Sequence, residues 1–286
     1  MTDTLKLPKK PRFIQIETLI GCDAECPFCP QRDIDRLPRR MPDETWIKIV
    51  DDTRGLGITY RPFLQNEALL DTRLARIVAY IKQDPTAHVE LNTNAHALSE
   101  DRAAALIDAG IDLVRFSIDA FTAETYARDR VGLDFRRVVE NIERFASMAR
   151  RSGRTVTTEV RMIDMESNRG EQRDFVSYWT DRVDRVLIVP LYNWPWTEGV
   201  EMVRKPCIKM RDEMFFYTDG SAVLCCWDIA GRAVIGNVNK ASVLEIWNGA
   251  ERRRLAELLA RGERDRILLC SRCDAYANRR FEGFDD

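Results

Sequence analysis

Apolar and polar side chains alternate along residues 12–20, and similar short apolar runs return at regular intervals as far as residue 191. Between these runs, apolar residues recur with helical spacing. The pattern predicts strands near 12–20, 60–64, 87–92, 112–118, 155–162 and 185–191, and helices near 42–53, 72–83, 98–109, 135–152 and 170–181. Ser99 and Gly110 are placed to begin and end the third helix. Six strands alternating with helices predict parallel βαβ units, in an open or a barrel-like sheet.

The pattern changes after residue 191, where strands and helices no longer alternate. Two short strand-like runs, 213–217 and 222–226, flank the sequence Thr-Asp-Gly-Ser and predict a hairpin. A helix at 243–259 and a cysteine-rich tail follow. We therefore predict two domains, residues 1–198 and residues 199–286.

The chain has 44 basic and 46 acidic side chains, a net charge of -2 and a pI near 5.9. This balance gives no electrostatic basis for binding nucleic acid or an anionic membrane. The longest apolar runs, such as 186–191, are far shorter than the roughly 20 residues that span a bilayer, and no secretory signal is visible. We therefore expect a cytoplasmic protein, whose eight cysteines are thiols or metal ligands rather than disulfides.

Three of the eight cysteines lie in one loop after the first strand. Cys22, Cys26 and Cys29 form a C-x3-C-x2-C cluster. Three thiolates at this spacing can hold zinc or an iron–sulfur cluster and leave a fourth position to another ligand. A zinc site closed by protein needs a fourth Cys or His nearby, and the two histidines, His88 and His96, are distant in sequence.

This loop resembles the signature of the radical S-adenosylmethionine enzymes, including the aromatic Phe28 before the last cysteine. The resemblance implies a 4Fe-4S cluster held by Cys22, Cys26 and Cys29, with its fourth iron open to S-adenosylmethionine. It implies that reduction of the cluster cleaves this cofactor to a 5'-deoxyadenosyl radical, which abstracts a hydrogen atom from a substrate C–H bond. It also implies a flavodoxin- or ferredoxin-type reductant.

Other positions match places where this family holds its cofactor. Members carry a Gly-Gly-Glu-type turn after the second strand, and the counterpart here is Gln65-Asn66-Glu67, in which Glu67 fits and both glycines are replaced. The resemblance also implies cofactor contacts at the ends of later strands, from Asn94, Ser117, Asp119 and Arg161. Taken singly, such residues are equally typical of turns, helix caps and surface ion pairs.

Four cysteines of the predicted second domain are arranged like those of the Twitch domain, the short form of the SPASM extension in this family. The resemblance implies an auxiliary 4Fe-4S cluster with the ligand set Cys207, Cys225, Cys270 and Cys273. A C-x2-C pair with two distant cysteines is also typical of a structural zinc site, which stays open as an alternative.

Cys226 is left over once both clusters are filled. Neighbouring residues of a strand face opposite sides, so Cys226 is predicted to face away from the site of Cys225. By similarity to the aminoglycoside epimerases of the family, a thiol there returns a hydrogen atom to the substrate radical and inverts the carbon. Alternatively, Cys226 is a small buried apolar residue, and the radical is oxidised to a ketone through the auxiliary cluster, as in the family's 2-deoxy-scyllo-inosamine dehydrogenases.

Together these features predict a partial (β/α)6 TIM-like barrel, with its active site at the C-terminal ends of the strands, and a hairpin-plus-helix auxiliary domain. The predicted activity is a radical epimerase or dehydrogenase acting on a carbinol C–H of an aminoglycoside, aminocyclitol or sugar in antibiotic biosynthesis, with epimerisation preferred. Candidate sugar contacts are Tyr192, Trp194, Trp196, Glu201, Trp227 and Asp228. The alternatives are peptide modification, disfavoured by the short segment before the first strand, and a non-enzymatic zinc-binding module.

Overall fold

A computed structural model describes residues 7–191, 207–271 and 273 of the chain. Its first six strands are β1 (Phe13–Ile16), β2 (Thr59–Arg61), β3 (His88–Thr93), β4 (Leu113–Ser117), β5 (Thr157–Asp164) and β6 (Arg185–Pro190). The helices between them are α1 (Asp43–Asp51), α2 (Leu74–Ile81), α3 (Glu100–Asp108), α4 (Ala123–Asp129), α5 (Phe135–Arg151) and α6 (Gln172–Trp179). Neighbouring strands from β1 to β6 pair in parallel, which confirms the predicted βαβ units.

The C-terminal segment continues this sheet. Its elements are α7 (Ile208–Asp212), β7 (Glu213–Phe216), β8 (Ser221–Val223), β9 (Val234–Asn237), α8 (Val243–Trp247) and α9 (Ala250–Ala260). Strand β7 pairs in parallel with β1, which gives the order β6-β5-β4-β3-β2-β1-β7-β8-β9. The antiparallel pairing of β7 with β8 confirms the predicted hairpin. The boundary predicted at residue 198 lies outside the described residues.

Some elements differ from the sequence pattern. Helix α4 was not predicted, although Thr122 caps it by accepting a hydrogen bond from the Thr125 N–H. The helix predicted over 243–259 is divided into α8 and α9 at Gly249. This residue has extended backbone angles, φ -70° and ψ 160°, and a Cβ atom there would lie 3.0 Å from the carbonyl oxygen of Ile246. The close approach favours glycine, and glycine interrupts the helix.

The main core lies between the sheet and its helices. Trp46, Phe116, Phe145 and Trp179 are almost completely buried there, and burial of each such side chain contributes roughly 1.5–3 kcal/mol. Phe116 of β4 meets Phe145 of α5 edge to face, with ring centroids 5.5 Å apart. The strand residues that alternate with these buried ones point to the other face of the sheet, away from the helices, and are available for a functional site. Within the described ranges, no helix is long and apolar enough to cross a membrane.

Candidate functional site

The loop after β1 and the C-terminal ends of β2, β3 and β4 surround a cavity of about 190 Å³. Parallel strands bring their carboxyl ends to one edge of a sheet, so segments distant in sequence meet here. Seven of the residues predicted to hold a cluster or a cofactor line this cavity: Cys22, Cys26, Phe28, Cys29, Glu67, Asn94 and Ser117. We call it the open cavity.

Hydrogen bonds hold the cysteine loop against the ends of the strands. Asp23 accepts a hydrogen bond from Asn94 Nδ2 at 2.7 Å, and its other carboxylate oxygen lies 2.9 Å from His96 Nδ1. The Glu25 N–H donates to the Val131 carbonyl at 2.9 Å. The loop is therefore fixed to the end of β3 on one side and to the segment after α4 on the other. Sequence reasoning gave no role to Asp23 or His96.

The three loop thiols are partly or fully withdrawn from water. Burial raises the pKa of Cys22 to about 12 and also raises the pKa of Cys26 and Cys29. Buried thiols become thiolates when a metal centre supplies the compensating positive charge. Across the described part of the chain, no three His, Cys, Asp or Glu side chains are grouped around a single-ion site. Three soft sulfur donors beside an open volume have the donor chemistry of an iron–sulfur cluster with one free position.

Glu67 closes the inner wall of the open cavity. Its carboxylate accepts hydrogen bonds from the Leu69 N–H at 2.9 Å, from Thr93 Oγ1 at 2.7 Å and from the Asn94 N–H at 2.8 Å. Burial nevertheless raises the pKa of Glu67 to about 7. A carboxylate whose charge is this costly to bury is stabilised strongly by a cationic partner, such as a ligand ammonium group.

The turn before Glu67 keeps an ordinary backbone without the two glycines. Asn66 does not have a positive φ, and its Oδ1 accepts a hydrogen bond from the Leu64 N–H at 2.9 Å. Its Nδ2 atom is buried at the cavity wall and has no acceptor among the described residues. The Gln65 side chain donates to the backbone carbonyl of Cys226. Asn66, in place of one glycine, therefore offers a hydrogen-bond donor to a bound ligand. Gln65, in place of the other, links the turn to the C-terminal segment.

Arg130, which the sequence did not single out, also lines the open cavity. Its Nη1 atom lies 3.7 Å from Cys26 Sγ, and its guanidinium carbon lies 5.6 Å from the centroid of the Phe28 ring. The guanidinium forms an ion pair with Asp119. Asp119 is absent from the residues that line the cavity, so it meets the cavity through Arg130. The sequence pattern did not indicate Arg130, because α4, the helix that ends one residue before it, was not predicted.

Arg161 is likewise absent from the cavity lining and instead forms an ion pair with Glu159 at 2.5 Å. It belongs to a buried row of ion pairs across β2 to β5, formed by Arg61, Glu90, Arg115, Glu159 and Arg161. Arg115 lies two residues before Ser117 on β4, so the row faces the same side of the sheet as the open cavity. The ion pair of Arg161 is therefore internal rather than at the surface.

The four cysteines predicted for the auxiliary cluster meet in a second cavity of about 20 Å³, which we call the closed cavity. Its lining consists of Cys207, Met210, Leu224, Cys225, Trp227, Leu259, Arg264, Leu269, Cys270 and Cys273. Burial raises the pKa of Cys270 to about 12. All four predicted ligands therefore line one cavity, as a site filled entirely by protein thiolates requires, and their role as cluster ligands stays a prediction.

Two of the six candidate sugar contacts, Trp227 and Asp228, lie within the described residues, and neither lines the open cavity. Trp227 lines the closed cavity. Asp228 is buried and accepts hydrogen bonds from the backbone N–H groups of Arg232 and Ala233 at 2.8 and 2.7 Å, so it stabilises a turn. The other candidates lie outside the described residues: Tyr192, Trp194, Trp196 and Glu201.

Cys226 does not line the closed cavity, although its thiol interacts with that of Cys225. It packs against a small apolar cluster that Leu64 also contacts, and Leu64 lines the open cavity. The strand argument for its orientation was wrong, because β8 ends at Val223 and both cysteines lie in the turn that follows. Cys226 is therefore linked to both cavities, through Cys225 of the closed cavity and through Gln65 of the open cavity.

Comparison with known proteins agrees with this arrangement. The family model described as the radical SAM superfamily matches residues 16–165, and the SPASM model, described as an iron–sulfur cluster-binding domain, matches residues 207–274. GTP 3',8-cyclase of Limosilactobacillus fermentum is 25% identical over 173 residues, 59% of this chain and 51% of that protein. Probable GTP 3',8-cyclase of Methanococcus maripaludis is 29% identical over 134 residues, 46% of this chain and 45% of that protein. The chain spans about half the length of these relatives.

Solved structures share the fold at low identity. BtrN in complex with AdoMet and 2-DOIA has a TM-score of 0.67 and 16% identity, over 96% of this chain and 97% of that chain. The structure of anSMEcpe with bound AdoMet has a TM-score of 0.68 and 14% identity, over 90% and 87%. Streptococcus suis SuiB bound to the precursor peptide SuiA has a TM-score of 0.69 and 12% identity, over 88% and 68%. These likenesses confirm the predicted partial barrel with its C-terminal iron–sulfur region.

The superfamily model covers more than half of the chain and includes the cysteine loop. The family uses a 4Fe-4S cluster and S-adenosylmethionine, and the SPASM region implies additional iron–sulfur clusters. The non-enzymatic zinc module is therefore set aside, and the predicted cofactors are confirmed. The chain belongs to the radical SAM superfamily and carries a C-terminal SPASM domain.

Proposed function

We propose that the chain is a radical SAM epimerase acting on a carbinol C–H bond of an aminoglycoside, aminocyclitol or related sugar. When bound, a 4Fe-4S cluster and S-adenosylmethionine supply the 5'-deoxyadenosyl radical that removes the hydrogen atom. The observation that carries the proposal is the place of Cys226. It stands outside the closed cavity, and its carbonyl is hydrogen bonded to Gln65 of the open-cavity wall.

The open cavity would hold the cluster and the cofactor with the chain's own residues. Cys22, Cys26 and Cys29 are the proposed cluster ligands. The buried Glu67 carboxylate suits the ammonium group of the cofactor. Asn66 Nδ2, buried without an acceptor in the described structure, suits an oxygen of its carboxylate or ribose. The closed cavity would hold the auxiliary cluster on its four cysteines.

Cys226 would complete the reaction after the first hydrogen atom has left the substrate carbon. Its S–H bond breaks, a C–H bond forms on the opposite face of that carbon, and the configuration inverts. The thiyl radical that remains regains its hydrogen as one electron from a flavodoxin- or ferredoxin-type reductant and one proton from solvent. The substrate is neither oxidised nor reduced overall.

Turnover in D2O tests this proposal. Anaerobically reconstituted enzyme is assayed with a panel of aminoglycosides and aminocyclitols, and we expect one deuterium on the inverted carbon of the product. Cys226→Ala and Cys226→Ser should abolish the deuterated epimer while keeping the iron content of both clusters. Unchanged turnover of Cys226→Ala with a ketone product would overturn epimerisation.

Dehydrogenation is the second candidate, and the likeness to BtrN favours it. That structure contains AdoMet and 2-DOIA, and its whole length matches nearly the whole of this chain. In this reaction the alcohol radical loses a proton and passes an electron to the auxiliary cluster, which leaves a ketone. The D2O experiment separates the two candidates, because a ketone gains no deuterium at that carbon.

A further inference from the structure

Two side chains at the end of α4 are directed toward the cysteine loop. Tyr126 lies in the helix and Arg130 is the residue that follows it, and the Arg130 N–H donates a hydrogen bond to the Tyr126 carbonyl at 2.7 Å. The Tyr126 ring packs against Phe135 with centroids 5.2 Å apart, and the residue is completely buried. Neither side chain belongs to a recognised motif of the sequence.

The Tyr126 hydroxyl has no hydrogen-bond partner among the residues that the structure describes. The Val131 carbonyl, adjacent to Arg130, accepts a hydrogen bond from the Glu25 N–H of the cysteine loop at 2.9 Å. Tyr126 thus belongs to the segment that holds the loop, and its hydroxyl interacts electrostatically with Arg130 and Cys26. Burial is the main cause of the raised pKa of this hydroxyl. The hydroxyl therefore stays protonated and acts as a hydrogen-bond donor. The hydroxyl is therefore a buried donor beside the loop, without an acceptor in the protein.

Arg130 adds a second group of donors in the same place. One terminal nitrogen lies 3.7 Å from Cys26 Sγ, and the other is held by Asp119. The Nε atom is buried and has no acceptor in the described part of the chain. Asp119 is itself fixed, because its Oδ1 accepts a hydrogen bond from the Ile163 N–H at 2.7 Å. The guanidinium is thus held rigidly against the sulfur of Cys26.

Buried donors without acceptors cost free energy, and iron-bound sulfur provides an acceptor. Hydrogen bonds to cluster sulfur stabilise the more negative, reduced state and so raise the reduction potential. We propose that the Tyr126 hydroxyl and the Arg130 guanidinium donate hydrogen bonds to sulfur at the Cys26 corner of the open cluster and raise its reduction potential. The inference rests on the assignment of Cys26 as a ligand and not on the identity of the substrate.

An EPR-monitored redox titration of the anaerobic holoenzyme tests this inference. The open cluster is identified as the one whose signal changes when S-adenosylmethionine is added. In Tyr126→Phe, we expect its reduced-to-oxidised ratio at a fixed potential to fall about tenfold, which is 59 mV for one electron. Arg130→Gln should shift it in the same direction, and Arg130→Lys, which keeps the charge, should shift it less.

Tyr60→Phe is the matched control, because the Tyr60 hydroxyl lies 2.6 Å from Thr53 Oγ1 and away from both cavities. It should leave the potential unchanged. If the Arg130→Gln variant loses iron, the reduction potential of the open cluster in Tyr126→Phe tests the inference by itself. An unchanged potential in Tyr126→Phe, or equal shifts of both clusters, would overturn the inference. Failure of the epimerase proposal would leave this titration unaffected.

Discussion

The two cysteine cavities differ in the room that they enclose and in the residues around it. The open cavity places three thiols beside a volume of about 190 Å³, and its lining includes the polar side chains of Glu67, Asn94 and Ser117. The closed cavity gathers four thiols around about 20 Å³, with mostly apolar neighbours. Metal sites that react keep a position free, whereas structural or electron-carrying sites are filled by protein ligands. This difference is the reason that we propose the radical chemistry at the open cavity and a supporting role for the closed cavity.

The two cavities are nevertheless parts of one framework. Strand β7, which begins the hairpin near the closed cavity, pairs in parallel with β1, which leads into the cysteine loop. The side chain of Gln65 then connects the wall of the open cavity to the backbone of Cys226. The shared sheet and the hydrogen bond from Gln65 to Cys226 fix the position of one cavity relative to the other. The proposed transfer of a hydrogen atom or an electron requires such a fixed geometry.

The largest difference between the two cavities should appear when one predicted ligand is removed from each. Cys26→Ala should abolish reductive cleavage of S-adenosylmethionine and lower the iron content from about eight to about four atoms per chain. Cys273→Ala should lower the iron content equally but retain cleavage in the absence of substrate. Iron analysis and quantification of 5'-deoxyadenosine by mass spectrometry measure both effects. Loss of cleavage in both variants would show that the two sites are not functionally distinct.

A smaller effect is expected from the polar wall of the open cavity. Glu67→Gln removes the proposed partner of the cofactor ammonium group, so affinity for S-adenosylmethionine should fall about ten- to a hundredfold. Equilibrium dialysis of the anaerobic holoenzyme measures this affinity. Glu67→Asp, which keeps the charge, is the matched control and should lose less. Equal affinity of Glu67→Gln and the native enzyme would remove Glu67 from the binding site.

The raised pKa of Glu67 also predicts a pH dependence. Burial makes ionisation costly in the folded chain, so the contribution of Glu67 to stability is present at acid pH and declines between its ordinary pKa of 4.5 and about 7. The cofactor ammonium group favours the carboxylate, so binding should tighten as the pH rises through about 7. This rise should be absent in Glu67→Gln, and its persistence there would assign it to another group.

The smallest expected effect concerns the link between the cavities. Gln65→Leu removes the amide that holds the Cys226 carbonyl and keeps a side chain of similar size. We expect about fivefold less deuterated product per 5'-deoxyadenosine formed, because a hydrogen bond of this kind is worth about 1 kcal/mol. Cleavage itself should be unchanged. A loss of cleavage equal to the loss of product would mean that Gln65 acts on the cofactor instead.

The order of the elements was predictable from the sequence wherever the apolar period was long and regular. Strands β1 to β6 and most of their helices follow from it, and Ser99 caps α3 as expected by accepting a hydrogen bond from the Arg102 N–H. The division between α8 and α9 was not predictable in this way, because the apolar period continues through Gly249. Nor was the pairing of β7 with β1 predictable, since it pairs Phe13 with Glu213, which are 200 residues apart.

The site was predictable where spacing alone carries the chemistry. The two cysteine sets follow from short spacings and from a resemblance, and the structure brings each set to one cavity. Tyr126 and Arg130 are brought to the cysteine loop by tertiary contacts that no local pattern marks. Gln65 belongs to the predicted turn, but its hydrogen bond to Cys226 is also a tertiary contact. Arg161 forms a buried ion pair that no local pattern marks, and its predicted cofactor contact stays a prediction. Ligands were therefore easier to find than the residues that surround them.

We expect the cluster of the open cavity to keep a coordination position free and the cluster of the closed cavity to have none. EPR spectra of the reduced holoenzyme, recorded with and without S-adenosylmethionine, distinguish the two. The cluster that remains in Cys273→Ala should change its signal when the cofactor is added, and the cluster that remains in Cys26→Ala should not. A cofactor-dependent signal in Cys26→Ala, or none in Cys273→Ala, would contradict the account.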